Sequence, residues 1–430
     1  MSKLNDCLRQ RHETGNPIRL ALVGAGQMGR GMIIQIEQMM QGMRVVAVAD
    51  IILDRVVSAF RDAGISADDI VVAKDVATAE KALQQGKRVA SDNAVLLTAL
   101  STVEAVVEAS GVPEVGAKVA FSAILNKKHT VMLNVETDVT VGYLLRRLAD
   151  SAGVVYTVSA GDEPGAAKEL YDFAKAMGFR IVAAGKGKNN PLDREATPDK
   201  LAAEAASKKM SAKMLTAFVD GTKTMVEMTA LANATGLVPD VRGMHGPVAT
   251  VEQLPTLFSL KSQGGILERE GVVDYALGTV APGVFVIVTT DNRSVVEDLQ
   301  YLHLGSGPNW VLYRPYHLAN LETPLSVARA VLLGETTIAT VHKPVAETIT
   351  IAKKDLKAGE KLDGIGQFTF YGSIERADIA ARERLLPLGL AQGAVLKEDV
   401  AKGQPITYDH VELDYSSMIV HLRALQDRMD

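Results

Sequence analysis

The chain has 430 residues, of which 47% are apolar and 23% are charged, and its formal net charge is −5. This length predicts two or three domains, and the mild acidity without a basic stripe argues against binding to nucleic acid. The single cysteine, Cys7, cannot form an internal disulfide, and no apolar run reaches the length of a transmembrane helix. The N-terminal segment also lacks the apolar core of a signal peptide. We therefore expect a cytoplasmic globular protein, most simply an enzyme.

The first predicted elements are a strand, "PIRLALV", a glycine-rich turn and a helix. Gly24, Gly26 and Gly29 have the G-x-G-x-x-G spacing, in which the pyrophosphate of a dinucleotide approaches the turn and the helix N-terminus. A second apolar strand, "MRVVAVAD", ends at Asp50, where an acid accepts the ribose hydroxyls. The alternative is a conformational glycine turn with a solvated acid at a strand end. The combined pattern favours a nicotinamide dinucleotide site.

The carboxylate of Asp50 also bears on the choice of cofactor, because it repels a 2′-phosphate. NAD is therefore expected over NADP, although Arg55 could offset part of that repulsion. The residues expected at the cofactor are Gly24, Gly26, Gln27, Met28, Gly29, Asp50, Arg55, Ser110, Gly111, Asn134 and Glu136.

The alternation of strands and helices then continues through "VEAVVEASG", the helix "PEVGAKVAFSAILNKK" and the strand "HTVMLNVE". This order predicts a doubly wound parallel sheet with right-handed crossovers. Asn134 and Glu136 are expected at a strand end that faces the nicotinamide, with Asp138 close by. The intervening segment 77–100 is predicted to be a helical insertion.

An acid pair, Asp162 and Glu163, follows the strand "VVYTVS" and precedes Pro164 and a helical pattern. Acids at a helix N-terminus complement the helix dipole, and proline is favoured at the first helical position. Helix capping explains one acid but not two, so an acid pair at the mouth of a parallel sheet favours a functional site.

Three further groups in the middle of the chain are candidates for chemistry. In "GKGKNNPLD", alternating Lys186 and Lys188 beside Asn189 and Asn190 suit a phosphate or polyol, or form an ordinary turn with solvated lysines. On a predicted helix, "AFVDGTKTMVEMTALANATG", one face carries a row that could shuttle a proton or form exposed salt bridges: Asp220, Lys223 and Glu227. The histidines His245 and His317 lack paired ligand spacing and are expected to be structural.

The segments "ASGVPEVGA", "MLNVETDVTVG", "AGDEP", "GKGKNNPLD" and "GMHGP" give the chain a family resemblance. The order of elements is similar to homoserine dehydrogenases, although Val135 stands where those enzymes have a lysine. More closely, the chain resembles 1-deoxy-D-xylulose 5-phosphate reductoisomerase-like proteins with a C-terminal SAF (β-clip) domain. That resemblance implies NADPH-dependent rearrangement and reduction of a phosphorylated ketose, with Asp162 and Glu163 helping to hold Mg²⁺ or Mn²⁺. Asp50 departs from it by favouring NAD.

The expected architecture is an α/β Rossmann domain (residues 1–155), an α+β catalytic domain (156–340) and a small all-β SAF domain (341–430). The SAF domain offers a surface for dimerisation or for closing over a site, and a homodimer is expected. The leading functional prediction is an NAD(P)-dependent oxidoreductase acting on a small phosphorylated or polyhydroxylated ketose. The first alternative is a plain NAD-dependent dehydrogenase of a sugar acid or semialdehyde. The second is a nucleotide-sensing module without catalytic activity.

Overall fold

A computed structural model describes residues 2–429 of the chain, which divides into two compact units. The first unit comprises Met1–Asp162, Leu318–Ala339 and His421–Asp430, and the second comprises Glu163–His317 and Thr340–Val420. One boundary therefore falls at the peptide bond between the two adjacent acids. The three-domain division remains a prediction.

The elements from residue 2 to residue 162 are α1 (Ser2–Glu13), β1 (Ile18–Val23), α2 (Gln27–Met39), β2 (Met43–Ala49), α3 (Leu53–Asp62), β3 (Ile70–Val72), α4 (Val76–Gln84), β4 (Arg88–Ser91), α5 (Ala94–Thr98), β5 (Ala105–Glu108), α6 (Pro113–Leu125), β6 (His129–Met132), α7 (Val135–Ala152) and β7 (Tyr156–Val158). From residue 163 to residue 317 they are α8 (Glu163–Ala176), β8 (Arg180–Gly187), α9 (Pro198–Ser207), α10 (Ala212–Val219), α11 (Thr222–Thr235), β9 (Val238–Pro239), β10 (Val248–Ala249), α12 (Leu254–Leu257), β11 (Val272–Gly278), β12 (Val284–Thr289), α13 (Arg293–Tyr301) and β13 (Asn309–Arg314). The remaining elements are α14 (Ala319–Leu333), β14 (Ala346–Ala352), β15 (Phe370–Arg376), α15 (Ala377–Arg382), β16 (Val395–Leu396), β17 (Val411–Glu412) and α16 (Met418–Gln426).

The first unit is built on a seven-stranded sheet with the order β3-β4-β2-β1-β5-β6-β7, in which neighbouring strands run parallel. Strand β1 is almost entirely buried, which fits a sheet covered by helices on both faces. One face packs against α2 and α14 through an apolar cluster that includes Ile33 and Val327. The predicted parallel α/β architecture is confirmed.

Two sequence expectations in this unit are wrong in detail. Segment 77–100 is not a purely helical insertion, because it contains β4, which pairs with both β2 and β3 inside the sheet. The strand predicted through "HTVMLNVE" ends at Met132, and α7 begins at Val135. A four-residue strand such as β4 is too short to produce a clear hydrophobic alternation in the sequence.

The second unit contains a mixed sheet with the order β10-β11-β8-β12-β13, and β9 also pairs with β11. Strand β8 runs parallel to β11 and antiparallel to β12, so it occupies the middle of the sheet. Helices α8 and α11 cover one face through small and apolar residues such as Ala167 and Met228. This packing brings the beginning of α8 and the middle of α11 to the end of β8.

The tail contains two short antiparallel pairs, β14 with β15 and β16 with β17. These strands agree with a β-rich tail, while its assignment as a SAF domain remains a prediction. Among residues 2–429, we find no helix that combines the length and the apolar character needed to cross a bilayer.

Candidate active site and cofactor turn

The glycine turn between β1 and α2 has the geometry that a dinucleotide site needs. Gly24 has a φ of +98°, a left-handed conformation that favours glycine. A Cβ on Gly29 would lie 1.9 Å from the carbonyl oxygen of Gly24, so only glycine permits this close packing of helix and strand. A Cβ on Gly26 would meet no heavy atom within 4 Å, and Gly26 is exposed as the N-cap of α2. The open backbone at the start of a helix suits a phosphate.

Asp50 lies at the end of β2, beside the glycine turn. Its Oδ2 accepts a hydrogen bond from the backbone N–H of Ala25 at 2.8 Å, and its Oδ1 accepts one from Ile52 at 2.9 Å. The carboxylate therefore orders the turn in addition to any contact with a ribose. Arg55 is exposed in the first turn of α3, and Gln27 is exposed at the beginning of α2.

Ser110 and Asn134 are brought together by a residue that sequence reasoning missed, Glu108, and Gly111 follows Ser110 with a positive φ of +67°. The buried Glu108 carboxylate accepts hydrogen bonds from the backbone N–H of Ser110 at 2.9 Å and from Nδ2 of Asn134 at 2.7 Å. Burial raises the pKa of Glu108 to about 7, despite those hydrogen bonds, which favour the carboxylate. Asn134 also caps α7 through Thr137, so its side chain holds the loop together. The signal in the sequence was an acid at the last position of an apolar strand.

Glu136 and Asp138 lie in the first turn of α7 and not at a strand end, which corrects the predicted placement. Both are buried, and Asp138 accepts a hydrogen bond from the hydroxyl of Tyr156 at 3.1 Å. Burial raises the pKa of Asp138 to about 7. The first unit therefore contains two buried carboxyl groups, those of Glu108 and Asp138, whose pKa values lie near neutrality.

The second unit places Lys186 between two carboxylates, Glu163 and Glu227. The Nζ atom of Lys186 lies 2.5 Å from Glu163 Oε1 and 2.5 Å from Glu227 Oε2. The three residues come from β8, from the beginning of α8 and from α11, and all are at least 93% buried. We refer to Glu163, Lys186 and Glu227 as the lysine–carboxylate cluster.

The charges in this cluster perturb one another. Burial, followed by the charge of Glu163, raises the pKa of Glu227 to about 7, although Lys186 opposes that rise. Burial also disfavours the Lys186 ammonium, but the two carboxylates outweigh it and raise the pKa of Lys186. Lys186 is therefore a fixed positive charge at physiological pH, and Glu227 is poised to exchange a proton.

Lys188 directly follows β8 and lies close enough to Lys186 to be affected by its charge, which agrees with the predicted alternation of the two lysines. Burial, together with the charge of Lys186, lowers the pKa of Lys188 to about 8. Its Nζ donates hydrogen bonds to the backbone carbonyls of Asn190 at 2.9 Å and Phe218 at 2.7 Å. A lysine ammonium has three N–H groups, so one remains for a further acceptor. Asn189 is exposed next to it.

His317 was expected to be a lone structural histidine, but its Nε2 lies 3.5 Å from Glu163 Oε1. Asp162, Glu163 and His317 each offer one potential ligand atom, and these atoms lie within 4.8 Å of one another. Sequence reasoning found the adjacent acids and missed the histidine, because 154 positions separate Glu163 from His317 in the chain.

The predicted row of Asp220, Lys223 and Glu227 on one helix face is wrong. The helix breaks at Gly221, whose φ is +89°, so Asp220 follows α10 and the other two lie on α11. Asp220 is buried and pairs with Lys353 at 2.8 Å, and it also accepts a hydrogen bond from the N–H of Thr222. These contacts hold Asp220 in an ion pair with Lys353, and its predicted catalytic role remains a prediction. Lys223 is close enough to Glu227 for its charge to favour the ionised form of that carboxyl group.

His245 lies outside the lysine–carboxylate cluster. Its Nδ1 lies 2.8 Å from Oδ2 of Asp274, a buried acid that also accepts a hydrogen bond from the backbone N–H of Gly246. The hydrogen bond to Asp274 raises the pKa of His245. The structural role expected for His245 remains a prediction.

Comparison with known proteins supports the assignment of this chain as an oxidoreductase. Residues 161–323 match the family model described as "Oxidoreductase DRL, catalytic domain". This segment contains the lysine–carboxylate cluster, Lys188 and His317. No curated protein matches the chain.

Solved structures resemble the chain only remotely. A probable dehydrogenase from Thermotoga maritima has 13% identity and a TM-score of 0.43, covering 75% of this chain and 91% of its own. A scyllo-inositol dehydrogenase from Lactobacillus casei, solved with NAD(H) and scyllo-inositol, has 12% identity and a TM-score of 0.42, covering 75% and 92%. Similarity at this level carries no argument about substrate. The match to the family model shows that this chain carries an oxidoreductase catalytic domain.

Proposed function

We propose that this protein is an NAD-dependent oxidoreductase that reduces the carbonyl group of a small phosphorylated or polyhydroxylated ketose. The observation that carries the proposal is the buried lysine–carboxylate cluster inside the oxidoreductase-matching segment. Removing three charged groups from water costs several kcal/mol per ion before their attraction compensates. Such arrangements, with strongly shifted pKa values, are concentrated at functional sites.

Lys188 is the proposed proton donor to the carbonyl oxygen. Carbonyl reduction needs a hydride at carbon and a proton at oxygen, and an acid with a pKa near the working pH transfers that proton efficiently. The pKa of Lys188, lowered to about 8, satisfies this requirement, and one of its N–H groups is left for the substrate. Lys186 stays protonated and supplies a fixed positive charge that stabilises the developing alkoxide.

The glycine turn and Asp50 are the proposed NAD site. The open backbone at Gly26 accommodates the pyrophosphate, and the Asp50 carboxylate opposes a 2′-phosphate. The finer expectation that NAD is preferred to NADP rests on this one carboxylate. Glu108 acts indirectly by ordering Ser110 and Asn134.

The residues Asp162, Glu163 and His317 fit a divalent metal by the chemistry of their donors. Two carboxylates and an imidazole suit Mn²⁺ better than Mg²⁺, which prefers oxygen ligands. A metal held there would polarise the substrate carbonyl as a Lewis acid. Lys186 already contacts Glu163 Oε1, so part of the negative charge that would attract a metal is neutralised.

Assays that measure the oxidation of NADH and NADPH in the presence of phosphorylated ketoses and sugar acids test the proposal. The variant Lys188→Gln should lower turnover by about 10²–10⁴-fold, the usual contribution of a general acid. The matched control is Lys175→Gln, which changes an exposed lysine on α8. Normal turnover in the Lys188 variant, or no oxidation of either cofactor by wild type with the panel, would refute the proposal.

The product identifies the reaction more finely. The reductoisomerase resemblance leads us to propose a rearrangement before hydride transfer, which would release a branched polyol phosphate. An unbranched alcohol would instead identify a plain dehydrogenase. Mass spectrometry with carbon-specific NMR separates these two products.

The metal is tested separately with the double variant Asp162→Asn and Glu163→Gln. If a divalent ion is held there, the variant should lose Mn²⁺ binding, which is measured by electron paramagnetic resonance. Turnover of the variant should also fall by orders of magnitude. The affinity for NADH should hardly change. Wild-type turnover that is indifferent to chelator would show that the acids serve Lys186 and the helix N-terminus alone.

A further inference from the structure

A cavity lies within the first unit, at the amino-terminal edge of its parallel sheet. Its volume is about 230 Å³, and four of its ten lining residues are basic: Arg19, Arg44, Lys87 and Arg88. None of the ten is acidic. For a chain with a net charge of −5, this concentration of positive charge is a local feature. We refer to it as the basic cavity.

The strands hold like charges side by side in this cavity. Arg19 is the second residue of β1, Arg44 is the second residue of β2, and the two are paired in register on adjacent parallel strands. Like charges at neighbouring positions on one face of a sheet are destabilising unless something compensates them. Among the described residues, no ion pair or side-chain hydrogen bond engages the Arg19 guanidinium, whose backbone N–H donates to Glu104.

The nearest carboxylates compensate only part of this charge. Glu37 lies 2.9 Å from a terminal nitrogen of Arg88 and 3.9 Å from Nε of Arg44. Glu104 pairs with Arg11, which does not line the cavity. The Nζ of Lys87 donates a hydrogen bond to the backbone carbonyl of Asp68. Because this carbonyl carries no net charge, the contact leaves the positive charge of Lys87 uncompensated. Among the described residues, Glu37 is therefore the one carboxylate that forms an ion pair with any of these four cations.

Two buried polar atoms of the lining have no hydrogen-bond partner among the described residues. They are Nε of Arg88 and Oγ1 of Thr102. Buried donors and acceptors are nearly always paired, so each such exception costs stability and calls for a physical reason. The contact of Arg88 with Glu37 fixes the guanidinium, so its Nε–H keeps its orientation.

We propose that the basic cavity binds a small organic phosphate at a site separate from the NAD site. Arginine guanidinium groups bind phosphate oxygens through paired N–H donors, and the hydroxyl of Thr102 adds one further hydrogen bond. The strands begin at the cavity and end at the glycine turn, so a six-residue strand separates the two sites by about 20 Å. The phosphate therefore need not be part of the cofactor, and this inference does not depend on the proposed reaction.

Isothermal titration calorimetry with inorganic pyrophosphate at low ionic strength tests the proposal, with and without saturating NADH. Arg19→Gln and Arg44→Gln should each weaken binding by about tenfold or more, because each removes charge-assisted hydrogen bonds. The matched control is Arg61→Gln, an exposed arginine on α3 outside the cavity, which should change affinity less than about twofold. NADH should not compete.

Thr102→Val provides a readout that a purely structural role would not produce. The substitution removes an unpartnered hydroxyl at nearly constant volume, so the melting temperature should stay the same or rise while pyrophosphate affinity falls. Undetectable binding to wild type at millimolar pyrophosphate, equal affinities in the arginine variants and wild type, or displacement by NADH would each overturn the proposal. Displacement would place the pyrophosphate at the glycine turn.

Discussion

Lys188 should titrate near pH 8, and Glu227→Gln should move that titration to lower pH. Burial and the charge of Lys186 lower the pKa of Lys188, whereas the charges of Glu227 and Asp220 raise it. Glu227 has a pKa of about 7, so it is mostly ionised when Lys188 loses its proton. Replacing it with glutamine removes a charge that favours the Lys188 ammonium and keeps an oxygen that can accept from Lys186.

The lowered pKa of Lys188 sets the fraction of its amine that is neutral at a given pH. The pKa of Lys188 is lowered from the ordinary lysine value of 10.5 to about 8. At neutral pH this makes the fraction of neutral amine about 300 times that of an exposed lysine. If Lys188 is the proton donor, the rate of carbonyl reduction should be level below pH 8 and fall about tenfold per unit above it. The reverse oxidation should rise over the same range.

The titration can be measured without knowing the substrate. NMR of ¹³C,¹⁵N-labelled lysine side chains should show one ε-carbon that titrates near pH 8 and disappears in Lys188→Gln. The resonance should persist in Lys175→Gln. An apparent pKa near 10.5 for Lys188, or an upward shift in Glu227→Gln, would refute the electrostatic reasoning.

Further predictions concern the first unit. Asp50→Ser should narrow or invert the ratio of NADPH to NADH dissociation constants, and an unchanged ratio would remove the basis for expecting NAD. Gly26→Ala should keep the melting temperature and weaken NADH binding, whereas Gly29→Ala should lower the melting temperature markedly, because its Cβ would meet a carbonyl oxygen. Asp138 has a pKa raised from 3.8 to about 7, so its stabilising contribution is present below pH 3.8 and lost as the pH rises through 7. Asp138→Asn should therefore gain stability relative to wild type between pH 4.5 and 8, by at most about 4 kcal/mol. Equal melting-temperature differences at the two pH values would contradict this.

The parallel sheet and glycine turn could be predicted because their signals are local. A run of buried β-branched residues, three spaced glycines and an acid at the next strand end lie within residues 18–50. Each of these features is determined by short-range geometry: the burial of the strand, the positive φ at Gly24, and the close approach of Gly29 to the carbonyl oxygen of Gly24. The structure confirms that geometry.

The lysine–carboxylate cluster could be predicted only in pieces. Glu163, Lys186 and Glu227 each stood in a separate candidate group, because residues on different elements show no common spacing. The sequence pattern predicts one continuous helix from Asp220 through Glu227, since one glycine in a helical pattern is normally tolerated at a modest cost. Lys353, which pairs with Asp220 from 133 positions away, could not be found from the local sequence.

The contacts of Glu163 bear on whether the adjacent acids Asp162 and Glu163 serve only to cap a helix. A helix cap is normally a surface feature worth about 1 kcal/mol, and an exposed acid suffices for it. Glu163 is 93% buried and lies 2.5 Å from a buried lysine that a second carboxylate also contacts. Replacing such a group of ions by apolar residues is often neutral or stabilising, so stability alone gives little reason to keep it. The cluster holds the positive charge of Lys186 beside Lys188, and this charge helps to lower the pKa of Lys188. The lowered pKa suits the proton transfer proposed for carbonyl reduction, which gives a chemical reason for the cluster.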